Sequence, residues 1–116
     1  MFTTRIRITV LKADIMEDLA AEYGQLQSDG TRTTHPCPFF QPGDKFEFSL
    51  KQGITGGSFC EMAKNDLFTM LNAMAGIGSA TPLGQKRSIP PQICCCSDGL
   101  RPVFFKLEVM EPDETL

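Results

Sequence analysis

The sequence predicts an α+β fold: a small, mainly antiparallel sheet of about four strands with two helices packed on it. Three observations carry this. Apolar and polar residues alternate over 5–11, 45–50 and 103–110, the period of a half-buried strand. Two stretches, opening at Asp14 and Ser58, hold apolar residues at helical spacing between capping residues and a glycine. The strands and helices alternate until the end, where two strands flank Ser97-Asp98-Gly99, and Asp-Gly is a favoured hairpin turn.

In residues 5–11, RIRITVL, Ile6, Ile8 and Val10 point one way and Arg5, Arg7 and Thr9 the other. The first helix follows. Asp14 and Glu17 resemble a capping box, Ile15, Leu19 and Tyr23 repeat at a spacing of four, and Gly24 supplies a left-handed stop. Residues 25–36 form a polar loop. Cys37 stands between Pro36 and Pro38, which biases it towards extended geometry. After a turn at Gln41-Pro42-Gly43-Asp44, Phe46, Phe48 and Leu50 alternate with Lys45, Glu47 and Ser49 as the second strand.

Ser58 and Glu61 form a second capping box. Phe59, Ala63, Leu67, Met70, Leu71 and Met74 continue one apolar face to Gly76, so a helix is predicted over about 59–75. Residues 76–92 are rich in glycine and proline and read as a loop. Residues 93–96 and 103–110 are the closing strands, with Val103, Phe105, Leu107 and Val109 on the buried face. Pro102 cannot donate to a ladder, which loosens the start of the hairpin.

The 116 residues amount to one domain, 1–116, with an acidic tail at 111–116 expected to fray in solvent. No run approaches about 18 apolar residues, so no membrane span is expected. The first residues alternate in polarity and lack a signal peptide's apolar block; a cytoplasmic location is the expectation. The net charge of -3 and the scattered basic residues exclude the basic stripe that nucleic-acid binding needs. Exposed sheet edges in a small domain favour a homo-oligomer.

Five cysteines without an export signal point to reduced thiols rather than a disulfide framework. No C-x2-C pair occurs, so any metal site must be assembled from distant segments. Cys60, in the first turn of the predicted helix, would sit by free N–H groups and the positive end of the dipole, where a thiolate is favoured. His35 and Cys37, two apart in an extended segment, face one side. Alternation puts Cys94 and Cys96 on one face and Cys95 on the other. Asp98 is a turn former and Arg101 a candidate anchor for a carboxylate or phosphate.

The C-terminal run Cys96-Ser97-Asp98-Gly99-Leu100-Arg101-Pro102-Val103-Phe104-Phe105-Lys106 resembles the signature C-x-D-G-L-R-P-V-x-F-K of an uncharacterised family of short conserved-cysteine proteins. Pro36-Cys37-Pro38 with Gly43, and the helix opening Phe59-Cys60 with Ala63, are similar to two further family segments and stand in the family's order. The resemblance singles out Cys37, Cys60 and Cys96 and implies no particular reaction. Members typically carry a tryptophan after the helix-opening cysteine; this chain has none.

Three functions are consistent with these residues. In the first, Cys37, Cys60 and Cys96 bind zinc or iron, with His35, Asp98 or water as fourth ligand. In the second, Cys60 acts as a metal-free nucleophile or acid/base group while Asp98 and Arg101 orient a small-molecule substrate. In the third, the cysteines are structural and the chain is an oligomeric binding module.

Overall fold

The computed structural model describes residues 4–79 and 89–116. Its sheet is antiparallel throughout and has five strands: β1 (Arg5–Ala13), β2 (Lys45–Ser49), β3 (Gly53–Thr55), β4 (Gln92–Cys95) and β5 (Val103–Val109), in the order β3-β2-β1-β5-β4. The fold is therefore α+β as expected, with one strand more. The added strand, β3, is three residues long and folds back on β2, pairing Phe48 with Ile54. Leu50, expected in β2, lies in the intervening turn and is exposed.

Central β1 pairs Ile6 with Phe48 and Val109, and Ile8 with Phe46 and Leu107. These alternate residues form one dry face. Beyond Val10 the register shifts and Leu11 is pushed out as a bulge, exposed to solvent. The long helix α2 (Glu61–Ser79) lies over the dry face against β1, β4 and β5, with Ala63, Leu67, Leu71, Met74 and Ala75 buried. A buried leucine side chain contributes roughly 1.5–3 kcal/mol through burial alone, so this seam holds helix and sheet together.

Both helices depart from the sequence reading at their ends. α2 begins after Cys60, whose carbonyl accepts the Lys64 N–H at 2.9 Å, so Cys60 and not Ser58 is the N-cap residue. Gly76 does not stop it; the helix continues to Ser79. The loop expected over 76–92 falls in part on residues 80–88, outside the described residues. The short helix α1 (Glu17–Tyr23) has Met16 at its N-cap and no side-chain cap. The Asp14 carboxylate instead accepts from the N–H of Ile15 at 2.8 Å and pairs with Lys12. The apolar face expected for α1 is not buried: Leu19 and Tyr23 are 43% and 65% exposed, and the buried residue is Ala20.

The acidic tail also departs from expectation. Met110 donates its N–H to Arg5 O at 2.9 Å, and the chain then crosses the outer face of the sheet. Arg5 donates to the carbonyls of Pro112 and Glu114, and Arg7 to the Glu114 carboxylate at 2.6 Å and the Thr115 carbonyl at 3.3 Å. The Glu111 N–H and the Arg7 guanidinium hold the Glu114 carboxyl below its ordinary pKa. The tail is strapped down because two arginines of β1 supply donors that its carbonyls and carboxylate accept.

Gly24 is required for close approach rather than for a left-handed turn. Its backbone is extended (φ -63, ψ 164), and a Cβ there would come within 2.5 Å of Ala20 O and 2.6 Å of Thr33 O. Around Gly76 a Cβ would meet nothing within 4 Å. Thermal or urea unfolding should separate the two: Gly24→Ala destabilises by about 1–3 kcal/mol through overpacking, whereas Gly76→Ala stabilises by about 0.5–1 kcal/mol through helix propensity.

Candidate functional site

Residues 96–102 join β4 to β5 by a wide loop in place of a two-residue hairpin turn. Cys96 donates its N–H to Val103 O at 3.1 Å and its Sγ accepts the Val103 N–H at 3.3 Å, which closes the ladder. Above that closure, one Asp98 carboxylate oxygen accepts two backbone N–H groups, from Leu100 at 2.9 Å and Arg101 at 3.0 Å. This is the local backbone capture that makes aspartate a turn former. Asp66 of α2 accepts the Ser97 N–H at 2.7 Å and ties the loop to the helix. From the other side, Asp14 and Met16 donate N–H groups to the carbonyls of Pro102 and Leu100, each at 2.9 Å.

The loop so held faces α1 across a cleft of about 160 Å³. Asp98, Leu100 and Arg101 form one wall; Ala20, Gly24, Gln25 and Thr33 form the other. Thr33 is buried, and its hydroxyl lies 3.4 Å from the Gln27 amide. Arg32 donates to Gly24 O at 2.8 Å and fastens the second wall. Arg101 is half-buried, yet its guanidinium has no hydrogen-bond or ion-pair partner among the described residues. The guanidinium, which no described residue engages, is left to solvent and lines a cleft of small-ligand size.

The thiols lie elsewhere. Cys37, Cys60, Cys94 and Cys96 are half-buried and pack against the main core cluster, whereas Cys95 is exposed on the outer face of β4. Cys94 and Cys96 share one face and Cys95 takes the other, as alternation requires. Cys37 is carried to the core by Phe40, whose ring meets Phe59, beside Cys60, at 5.0 Å and Phe105 at 5.2 Å. Burial pushes the Cys94 thiol pKa up. Partial desolvation by its neighbours, although the residue as a whole is exposed, also raises the Cys95 thiol, aided by the neighbouring charges of Cys96 and Asp66, and that thiol hydrogen-bonds to the Cys96 carbonyl at 3.1 Å. Both thiols are held in the protonated form, which is the poorer nucleophile and metal ligand.

His35 is exposed and its Nδ1 lies 2.8 Å from the carbonyl of Pro36. Among the described residues, no three His, Cys, Asp or Glu side chains stand close enough together to hold a metal ion. The fold thus brings Asp98 and Arg101 to one cleft and three candidate thiols to one core, but Cys60 does not line the Asp98–Arg101 cleft. Sequence reasoning missed Gln25 and Thr33, which sit in a polar loop without any local pattern. It also missed Asp66, a helix aspartate whose partner is distant in the chain.

In comparisons with known proteins, the chain matches no family model, no curated protein and no solved structure.

Asp98→Ala leaves two loop N–H groups without their acceptor and is expected to cost about 1–3 kcal/mol. Asp98→Asn keeps an oxygen acceptor and should cost less than half of that. Denaturant melts of the pair check it, and equal losses would show that the carboxylate charge, rather than hydrogen-bond acceptance, holds the loop.

Proposed function

We propose that this protein binds a small anionic metabolite in the cleft between α1 and the 96–102 loop, with Arg101 as its anchor. The observation that carries this reading is Arg101, a half-buried residue whose guanidinium is unpartnered among the described residues and which lines the cleft together with Asp98. Guanidinium presents a planar fork that matches a carboxylate or phosphate through two parallel hydrogen bonds. One Asp98 oxygen is committed to the Leu100 and Arg101 N–H groups. The other is the natural acceptor for a hydroxyl or amine on the ligand. Gln25 and Thr33 supply uncharged polar contacts from the opposite wall. At about 160 Å³ the cleft is smaller than the pockets of drug-sized ligands, which begin near 300 Å³. A short hydroxy acid, amino acid or phosphate monoester is the class that fits.

Thermal unfolding with a panel of such compounds tests the reading. A ligand at about 100 times its Kd adds about 2.7 kcal/mol, and Arg101→Gln should remove that gain while leaving the unliganded melt within about 0.5 kcal/mol. If no carboxylate or phosphate compound stabilises the wild-type chain, or if Arg101→Gln responds equally, the reading fails.

A three-thiolate zinc or iron centre is the second reading. It is favoured by the common packing of Cys37, Cys60 and Cys96 on one core, and by the backbone N–H that Val103 directs at Cys96 Sγ. The spacing of the donors among the described residues argues against it. Elemental analysis of anaerobically prepared protein decides between them. The cleft reading expects no stoichiometric metal, and one zinc or iron per chain would favour the thiolate centre.

A further inference from the structure

β4 is the last strand at one side of the sheet, and the ladder fixes which of its main-chain groups face outwards. The Cys96 N–H bonds to Val103 O, and in the same register Cys94 stands opposite Phe105 and Gln92 opposite Leu107. By the alternation of an antiparallel pair, Gln92, Cys94 and Cys96 turn their main-chain groups to β5. The far side of β5 agrees. There the Met110 N–H bonds to Arg5 O, which leaves Phe105 and Leu107 facing β4. The N–H and C=O groups of Ile93 and Cys95 therefore point away from the sheet, and no described residue engages them.

The side chains of the same two residues lie together on the outer face, Ile93 being 61% exposed and Cys95 exposed as well. Natural sheets guard such edges with charged residues, bulges, proline or shortness. β4, QICC, carries no charge and pairs with β5 without a register shift. Its two ends are closed. Pro91 has no N–H to offer, and the Ser97 N–H is already bonded to Asp66 at 2.7 Å. The open segment is thus confined to Ile93–Cys95 and is symmetrical about Cys94.

We propose that β4 pairs antiparallel with β4 of a second copy about a two-fold axis at Cys94, joining two five-stranded sheets into one continuous sheet. A second copy is the occupant because the open segment is self-complementary. With Ile93 opposite Cys95 of the other copy, and Cys95 opposite its Ile93, every outward N–H meets an outward C=O. Shifting the axis to Ile93 would set Pro91, which lacks a donor, against Cys95. Shifting it to Cys95 would set Ser97, whose donor is taken, against Ile93. The interface uses neither Arg101 nor the cleft, so it stands or falls independently of the ligand proposal.

Charge pairs at positions 93 and 95 test both the dimer and its register, and both side chains are exposed, so the fold should tolerate them. Ile93→Lys with Cys95→Lys sets like charges directly opposite each other across the axis and should raise the dimer Kd, read by sedimentation equilibrium, by about tenfold or more. Ile93→Lys with Cys95→Glu sets lysine against glutamate and should bring Kd back to within about threefold of the wild type. Circular dichroism confirms that each variant is folded. A wild-type chain that sediments as a monomer, a Kd unmoved by the two lysines, or a lysine–glutamate variant no tighter than the two-lysine one overturns the proposal. The same register puts the Cys94 residues of the two copies opposite each other at a non-hydrogen-bonded pair, where Cα atoms stand about 4.5 Å apart, within disulfide reach. Diamide takes two electrons and two protons as it joins two thiols into a disulfide. Peptide mapping of the crosslinked wild-type dimer should therefore find Cys94 joined to Cys94, although Cys95 is the more exposed thiol. A Cys95–Cys95 bond in its place overturns the proposed register.

Discussion

The packing of Phe40 into the core is the contact on which the placement of most other elements depends. Its ring meets Phe46, Phe59 and Phe105 edge-on, at centroid distances of 6.0, 5.0 and 5.2 Å, and Phe46 meets Phe59 at 4.9 Å. Those four rings come from the loop before β2, from β2, from the segment leading into α2, and from β5. Edge-to-face pairs of this kind are worth about 0.5–1.5 kcal/mol each beyond the area they bury. The consequence is geometric as much as energetic. Phe40 is 2% exposed, so the irregular segment around Cys37 cannot drift from the sheet. Phe59, drawn into the same cluster, holds the chain non-helical until Cys60.

That constraint explains why the capping signature at Ser58 was misleading. A capping box is a local preference of about 1 kcal/mol, and Phe59 burial outweighs it, so the helix starts later. In α1 the apolar spacing misleads for the opposite reason. With seven residues and one buried alanine, it has too little core contact to impose a periodicity, and its exposed Leu19 and Tyr23 happened to fall four apart. The strands were legible because α2 covers one sheet face while charged side chains take the other, which is the condition for clean alternation. β3, at three residues with a glycine at its start, offers no period to read. The fixing of the tail is not legible locally because its partners Arg5 and Arg7 lie more than 100 residues away, with a separation of 107 between Arg7 and Glu114.

Of the candidate site, Asp98 and Arg101 were legible because turn chemistry and guanidinium chemistry are properties of single residues. Their common cleft was not, since its second wall comes from Gln25 and Thr33 in a polar loop. The thiols show the converse. Cys37, Cys60 and Cys96 do meet a common core, but sharing a core places side chains around a volume filled by other residues, and metal ligation needs donors within about 2.3 Å of one point. Small, weakly polar thiols are also what a helix–sheet seam selects for packing alone.

The bracing of residues 96–102 is the feature that packing does not account for. Antiparallel neighbours such as β4 and β5 can be joined by a two-residue turn, and an Asp-Gly pair is present to make one. The chain instead spends a longer loop and fixes it from three directions: Asp66 on Ser97, Asp98 on the N–H groups of Leu100 and Arg101, and the N–H groups of Asp14 and Met16 on the carbonyls of Pro102 and Leu100. Each restraint removes backbone freedom that a merely connecting loop would keep. Binding a ligand through a mobile arginine would require ordering both backbone and side chain, whereas here the backbone is ordered beforehand and only the side chain remains to be immobilised. The proposed anion recognition rests on this preorganisation of the loop that carries Arg101 beside the cleft.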